Sequence, residues 1–148
     1  MLVKHVMTKK VVTVKSSDSF DFILDVLIKQ KISGMPVVSK KGKVIGIISE
    51  KDLLYSLFPT QEEFYKDIEY YFHNSKVELE AKKIKKLTAK KLMTKKIISV
   101  TPDDHVLRAC SLLLIHNIRR LPVIAKGNLV GVVTTRNLYK NFLNSLLT

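Results

Sequence analysis

The feature that most constrains this chain is that it contains itself twice. Displaced by 86 residues, Met7-Thr8-Lys9-Lys10 falls on Met93-Thr94-Lys95-Lys96. The same displacement lays Val14 on Val100, Asp18 on Asp104, Leu27 on Leu113, Ile32 on Ile118 and Pro36-Val37 on Pro122-Val123. One extra residue, Lys41, shortens the displacement to 85, and Gly42, Gly46 and Leu53 then meet Gly127, Gly131 and Leu138. In all, 14 of 46 aligned positions are identical. A period this long, present only twice, excludes a solenoid and implies a pseudo-symmetric pair. Neither copy, at about 50 residues, holds enough core to stand alone, so the two must pack together.

Each copy reads as β-α-β-β-α. Val11-Val12-Thr13-Val14 and Ile97-Ile98-Ser99-Val100 are β-branched runs, predicting short strands. Thr101-Pro102-Asp103-Asp104 offers an N-cap hydroxyl, a proline and first-turn acids, and Ser16-Ser17-Asp18 offers the same without proline. Helices over residues 19–31 and 105–117 follow, with Phe20, Ile23, Leu24, Leu27 and Ile28 matched by Val106, Ala109, Cys110, Leu113 and Leu114 at helical spacing. Met35-Pro36-Val37-Val38 and Leu121-Pro122-Val123-Ile124 begin second strands. Turns at Gly42 and Gly127 lead to third strands at 44–48 and 129–133, and a closing helix starts after Ser49 and after Thr134. The fold class expected is α/β (α+β): two such units packed sheet to sheet. Unit 1 spans 1–57, a helical insert 58–87 and unit 2 88–148. Within the insert, Thr60 to Glu63 and Ser75 to Glu78 read as capping boxes. Phe64, Ile68, Tyr71 and Phe72, then Val77, Ala81 and Ile84, read as apolar stripes that pack on the protein's own core or across a dimer.

Charge and composition narrow the class. No apolar run approaches the 18 or so residues of a membrane span. Residues 1–7 lack the apolar region of a secretory leader. The single cysteine, Cys110, fits a reducing interior and an inert, packed thiol, so a cytoplasmic protein is expected. The net charge of +13 is concentrated in Lys82, Lys83, Lys85, Lys86, Lys90, Lys91, Lys95 and Lys96. No aromatics interleave them, so the stacking platform of a single-strand binder is missing, and a solvated lysine face is the plainer reading. The four histidines have no metal-ligand spacing, and no phosphate-binding glycine loop or nucleophile elbow occurs. An enzyme is not expected, nor a catalytic cofactor or metal.

The closers Gly46-Ile47-Ile48-Ser49-Glu50-Lys51-Asp52 and Gly131-Val132-Val133-Thr134-Thr135-Arg136-Asn137 carry the chemistry. Each ends a strand in hydroxyl-x-x-Asp/Asn at a helix N-terminus, where free N–H donors meet oxygen acceptors. Such a place can hold a sugar diol and an anion. It can equally be a helix cap, with Ser49 at N-cap and Asp52 at N3.

With the Val3-x-x-x-Met7-Thr8 and Lys91-Leu92-Met93-Thr94 leaders and the two Pro-Val strands, the duplicated pattern resembles a tandem pair of CBS (cystathionine-β-synthase) domains. The resemblance implies two clefts between the units, disc-like homodimers and a regulatory module that binds an adenosine-containing compound, AMP, ADP, ATP or an S-adenosyl derivative, in energy sensing or a similar role. Carried over, cleft A comprises Ser49 and Asp52 on the ribose, Ile47, Ile98 and Ile118 about the base, and Thr94, Lys96, Arg119 and Ser33 toward phosphate. Cleft B mirrors it with Thr134, Asn137, Val132, Thr8, Lys10, Val12, Ile32 and again Ser33, and with Arg120 and Arg119 nearby. Asn137 departs from the acidic pattern. An amide offers one acceptor oxygen where a carboxylate offers two charged ones, so cleft B is expected to bind more weakly. His116 is a further candidate for a phosphate in cleft A. An effector protein of unknown kind is implied as partner, with no membrane. The alternative is a nucleic-acid or acidic-partner binder using the lysine-rich segment 82–96.

Overall fold

The computed structural model describes residues 1–57, 61–72 and 74–148, with side chains at all of these except 63, 64, 71, 72 and 74–77. The first half runs α1 (Val3–Val6), β1 (Val14–Lys15), α2 (Phe20–Gln30), β2 (Gly34–Val38), β3 (Val44–Ser49) and α3 (Glu50–Leu57). The insert holds α4 (Gln61–Lys66), α5 (Ile68–Phe72) and α6 (Asn74–Ile84). The second half runs α7 (Ala89–Leu92), α8 (Val106–Ile115), β4 (Arg120–Ala125), β5 (Asn128–Thr134) and α9 (Thr135–Asn137). A wide π-helical stretch, Leu138–Leu143, and α10 (Asn144–Leu147) follow. The architecture is mixed α/β, two β-α-β-β-α units with a helical insert. Of the expected insert signals, Thr60 and the side chains of Glu63, Phe64, Tyr71, Phe72, Ser75 and Val77 lie outside the described residues, whereas Ile84 is buried at 6% exposure.

Both hairpins are antiparallel and carry a bulge at mirrored places, between Val37 and Val38 and between Val123 and Ile124. The opening strands are shorter than their β-branched runs predict. Only Val14 and Lys15 pair in parallel with β2, and only Val100 pairs with Val123. The physical reason is that the residues before them serve the interface instead. Thr8 and Thr94 form two-way backbone bridges to the third strand of the opposite half, Thr8 with Val132 at 2.8 and 2.9 Å and Thr94 with Ile47 at 2.8 and 3.0 Å. Glycine permits that approach: a Cβ on Gly46 would lie 3.0 Å from the Thr94 carbonyl, and one on Gly131 3.0 Å from that of Thr8.

The two long helices start where expected, but their caps differ. The hydroxyls at Ser16 and Thr101 do not cap. The caps are Ser19, which accepts from the Phe22 N–H at 3.3 Å, and His105, whose Nδ1 accepts from the Leu107 N–H at 3.2 Å. Asp18 and Asp104 instead tie the preceding turns, each accepting a backbone N–H at 2.7 Å from Lys15 and Thr101.

Two buried clusters form the core, and each borrows its leading helix from the other half. Val3 and Val6 of α1 pack with Val106, Leu121, Val123 and Val133, while Ala89 and Leu92 of α7 pack with Val14, Ile23, Met35 and Ile48. The backbone repeats the exchange: Val3 N–H donates to Asp104 at 2.9 Å, and Ala89 N–H donates to Asp18 at 2.9 Å. Fully burying each such aliphatic side chain stabilises by about 1.5–3 kcal/mol. The exchange therefore fastens the halves through their cores as well as their clefts.

Candidate functional site

Cleft A opens between the halves with room for about 360 Å³, within the range of small-molecule sites. All nine residues expected there line it: Ser33, Ile47, Ser49 and Asp52 from the first half, and Thr94, Lys96, Ile98, Ile118 and Arg119 from the second. Glu50, Lys51, His116, Asn117 and Arg120 join them. The end of β3 fixes the polar corner. Asp52 Oδ2 accepts from the Ser49 N–H at 2.8 Å and from the Ser49 hydroxyl at 3.1 Å, and its Oδ1 accepts from the Thr94 hydroxyl at 3.2 Å. The cap and the cleft are thus one construction. A carboxylate has about four lone-pair sites, so Asp52 keeps acceptor capacity on the side facing Thr94.

Cleft B, with room for about 480 Å³, is lined by the expected Thr8, Lys10, Val12, Ile32, Val132, Thr134 and Arg120. Asn137 is not on its wall. Its Oδ1 accepts from the Thr134 N–H at 2.8 Å and the Thr134 hydroxyl at 2.9 Å, and its Nδ2 donates to the Thr8 hydroxyl at 3.3 Å. Both lone pairs of the amide oxygen are engaged, which leaves no acceptor for a diol.

Arg120, expected only in cleft B, lines both clefts, as do Ser33 and Arg119. Its guanidinium donates to the Ser33 hydroxyl and lies against Gly34, its own mirror position, where a Cβ would also stand 2.8 Å from the Ile48 carbonyl. Desolvation is the largest influence on Arg120 and lowers its pKa from the ordinary guanidinium value; Glu50 opposes this, Arg119 adds to it and Asp52 opposes it. The group stays charged at neutral pH.

The repeat itself carried the residues that motif matching missed. Lys51 and Arg136 occupy the same place in the two closers, and Asn117 and Lys31 the same left-handed helix end, with φ of 50° and 53°. Each lines its cleft. Cys110 is half-buried, and burial pushes its thiol pKa up, as an inert thiol requires. Among the described residues no group of histidine, cysteine and acidic side chains could hold a metal ion, and no helix is long and apolar enough to cross a membrane.

The family model for the CBS domain matches residues 3–58 and 89–144. The chain belongs to the CBS-domain family. It is 33% identical to the uncharacterized protein MJ1426 of Methanocaldococcus jannaschii, over 93% of this chain and 89% of that one. Against the chloroplastic CBS domain-containing protein CBSX2 of Arabidopsis thaliana it is 31% identical, over 86% of this chain and 56% of that protein's length. A structure of CBSX2 in complex with AMP superposes with a TM-score of 0.74 at 28% identity, covering 98% of each chain. A structure of the CBS domain pair of MJ0100 in complex with 5′-methylthioadenosine and S-adenosyl-L-methionine superposes with a TM-score of 0.72 at 25% identity, also covering 98% of each.

Proposed function

We propose that this chain is a regulatory module, not an enzyme, and that its cleft A binds an adenosine-containing compound. The observation that carries the reading is the Ser49–Asp52–Thr94 cluster, which joins residues of both halves through one carboxylate with acceptor capacity to spare. Ile47, Ile98 and Ile118 supply apolar surface for a base, and Lys96 and Arg119 supply charge for phosphate. Two structural neighbours solved with adenosine compounds support the same class. Because the cleft is made from both halves, a ligand that prefers one relative arrangement shifts the population toward it, by its differential affinity and no more. Exposed apolar residues on the helices, Ile28 and Leu114 among them, support a homodimer, through which the change would reach an effector protein. The single cysteine supports a cytoplasmic setting.

Thermal unfolding at physiological salt, against AMP, ADP, ATP, S-adenosylmethionine, NAD and GTP, tests the reading. A ligand at about 100 times its Kd adds roughly 2.7 kcal/mol, on the order of 5–10 °C at this size. A shift with an adenosine compound that is absent with GTP and lost in Asp52→Ala is the expected result. No shift with any of them overturns it.

A second reading rests on the eight lysines between residues 82 and 96, all exposed, of which only Lys83 and Lys85 make ion pairs among the described residues. It has the segment bind nucleic acid or an acidic partner, with affinity falling steeply between about 50 and 200 mM salt. Binding that stays flat over that range removes it.

A further inference from the structure

Cleft B has lost what a nucleoside needs and kept, indeed gained, what an anion needs. Three mirrored changes from cleft A to cleft B run in one direction, removing negative charge or adding positive. Glu50 and Asp52 become Thr135 and Asn137, and Asn117 becomes Lys31. Cleft A therefore sets four basic side chains against two carboxylates, whereas cleft B gathers Lys10, Lys31, Arg119, Arg120 and Arg136 with no carboxylate on its wall. Among the described residues none of these five forms an ion pair. Like charges that converge on a cleft repel one another, and a multivalent anion seated among them relieves that repulsion. The hydroxyls of Thr8, Ser33 and Thr135 also line the cavity, and three guanidinium groups offer the forked donors that suit phosphate oxygens.

We propose that cleft B is a site for a multiply charged phosphate anion, bound through its phosphates without recognition of a nucleoside. The anion is either a free polyphosphate or the tail of a nucleotide, and both present the same oxygens. The proposal stands apart from the adenosine reading of cleft A, since it concerns residues and a ligand chemistry that the reading does not use.

The experiment is calorimetric titration of the full chain with tripolyphosphate, at fixed ionic strength and without divalent cations. Lys10→Gln with Arg136→Gln removes two exposed cations of cleft B; Lys51→Gln with Lys96→Gln removes two of cleft A. The expected result is that the first pair weakens tripolyphosphate by at least about tenfold while the second changes it by less than about threefold. ATP is then titrated against bound tripolyphosphate. Competition assigns the site to a nucleotide tail and no competition assigns it to free polyphosphate; both support the proposal. No binding of tripolyphosphate overturns it, as does equal weakening by the two pairs, which marks diffuse charge. Adenosine binding lost in the Lys10 and Arg136 pair also overturns it, because the cleft would then read the nucleoside.

Discussion

Cleft A and cleft B descend from one sequence pattern, share Ser33, Arg119 and Arg120, and differ in chemistry at a handful of mirrored positions. In cleft A a carboxylate closes the strand-to-helix turn and still faces the cleft; in cleft B an amide closes the same turn and is used up in doing so. The backbone hydrogen bond of the cap is the same length in both, 2.8 Å. The lesson is that capping takes only one acceptor oxygen at this position, and the side chain that stands there decides whether a second one is left facing the cleft. Arg120 sharpens the contrast, since its mirror is Gly34, the smallest residue facing the most extended one. A symmetric pair could not place an arginine at both positions, because each would occupy the other's space.

Four changes break or sharpen this comparison, taken from the largest effect. Val3→Asp places an unpaired charge at a site with 0% exposure in the cluster beneath β4 and β5. It should cost more than about 3 kcal/mol, and hydrogen exchange should quicken in β4 and β5, on the cleft B side, before β2 and β3. Equal loss in both hairpins would deny that the cores are distinct. Asp52→Ala comes next. It should abolish the adenosine-dependent stabilisation of roughly 2.7 kcal/mol at about 100 times Kd, and lower unliganded stability by only about 1 kcal/mol, the worth of a cap. Thermal melts with and without ligand separate the two losses.

Asn137→Asp restores to cleft B the oxygen it lacks. Calorimetry should find a second equivalent of adenosine ligand, with affinity in that cleft raised about tenfold, or ~1.4 kcal/mol, and tripolyphosphate weakened. An unchanged stoichiometry would locate the difference in the neighbouring residues. The smallest effect belongs to Lys4→Ala. Its Nζ meets Asp103 Oδ1 at 2.7 Å, but both side chains are largely exposed. The pair should contribute no more than about 0.5 kcal/mol in a double-mutant cycle with Asp103→Ala.

Much of this was legible in the sequence because duplication checks itself. A strand or helix proposed in one copy had to appear in the other, and the hairpins, α2 and α8 and the closers all do. Ser49-x-x-Asp52 was legible as a polar turn at the end of a strand, whereas the grouping of the other cleft A residues into one cavity came from what the family resemblance implies. What stayed hidden depends on where the chain goes in space. Val11 to Thr13 and Ile97 to Ser99 have strand composition, yet they leave the sheet because Thr8 and Thr94, just before them, are bound across to the opposite half. Local propensity carries no word of that partner. The caps were misplaced for a related reason: Asp18 and Asp104 fold back onto the preceding turns, which leaves the capping to Ser19 and His105 at the helix starts themselves. Arg120 looked like a cleft B residue alone because its reach over Gly34 is a property of the glycine opposite, about 86 positions away in sequence.

The exchange of α1 and α7 also sets a timetable. Val3 and Val6 are made before any residue of the core they belong to, which begins at Val100. At about 5–20 residues per second, synthesis keeps them waiting roughly 5–20 s. The first core closes earlier, once Ala89 and Leu92 have emerged. On refolding the order is less marked, because joining residue 3 to residue 104 closes a loop only modestly longer than joining residue 18 to residue 89, and closure entropy grows only with the logarithm of loop length. Until Ala89 and Leu92 arrive, α1 is already made while its own core is not, and the one open seat on the chain belongs to its twin.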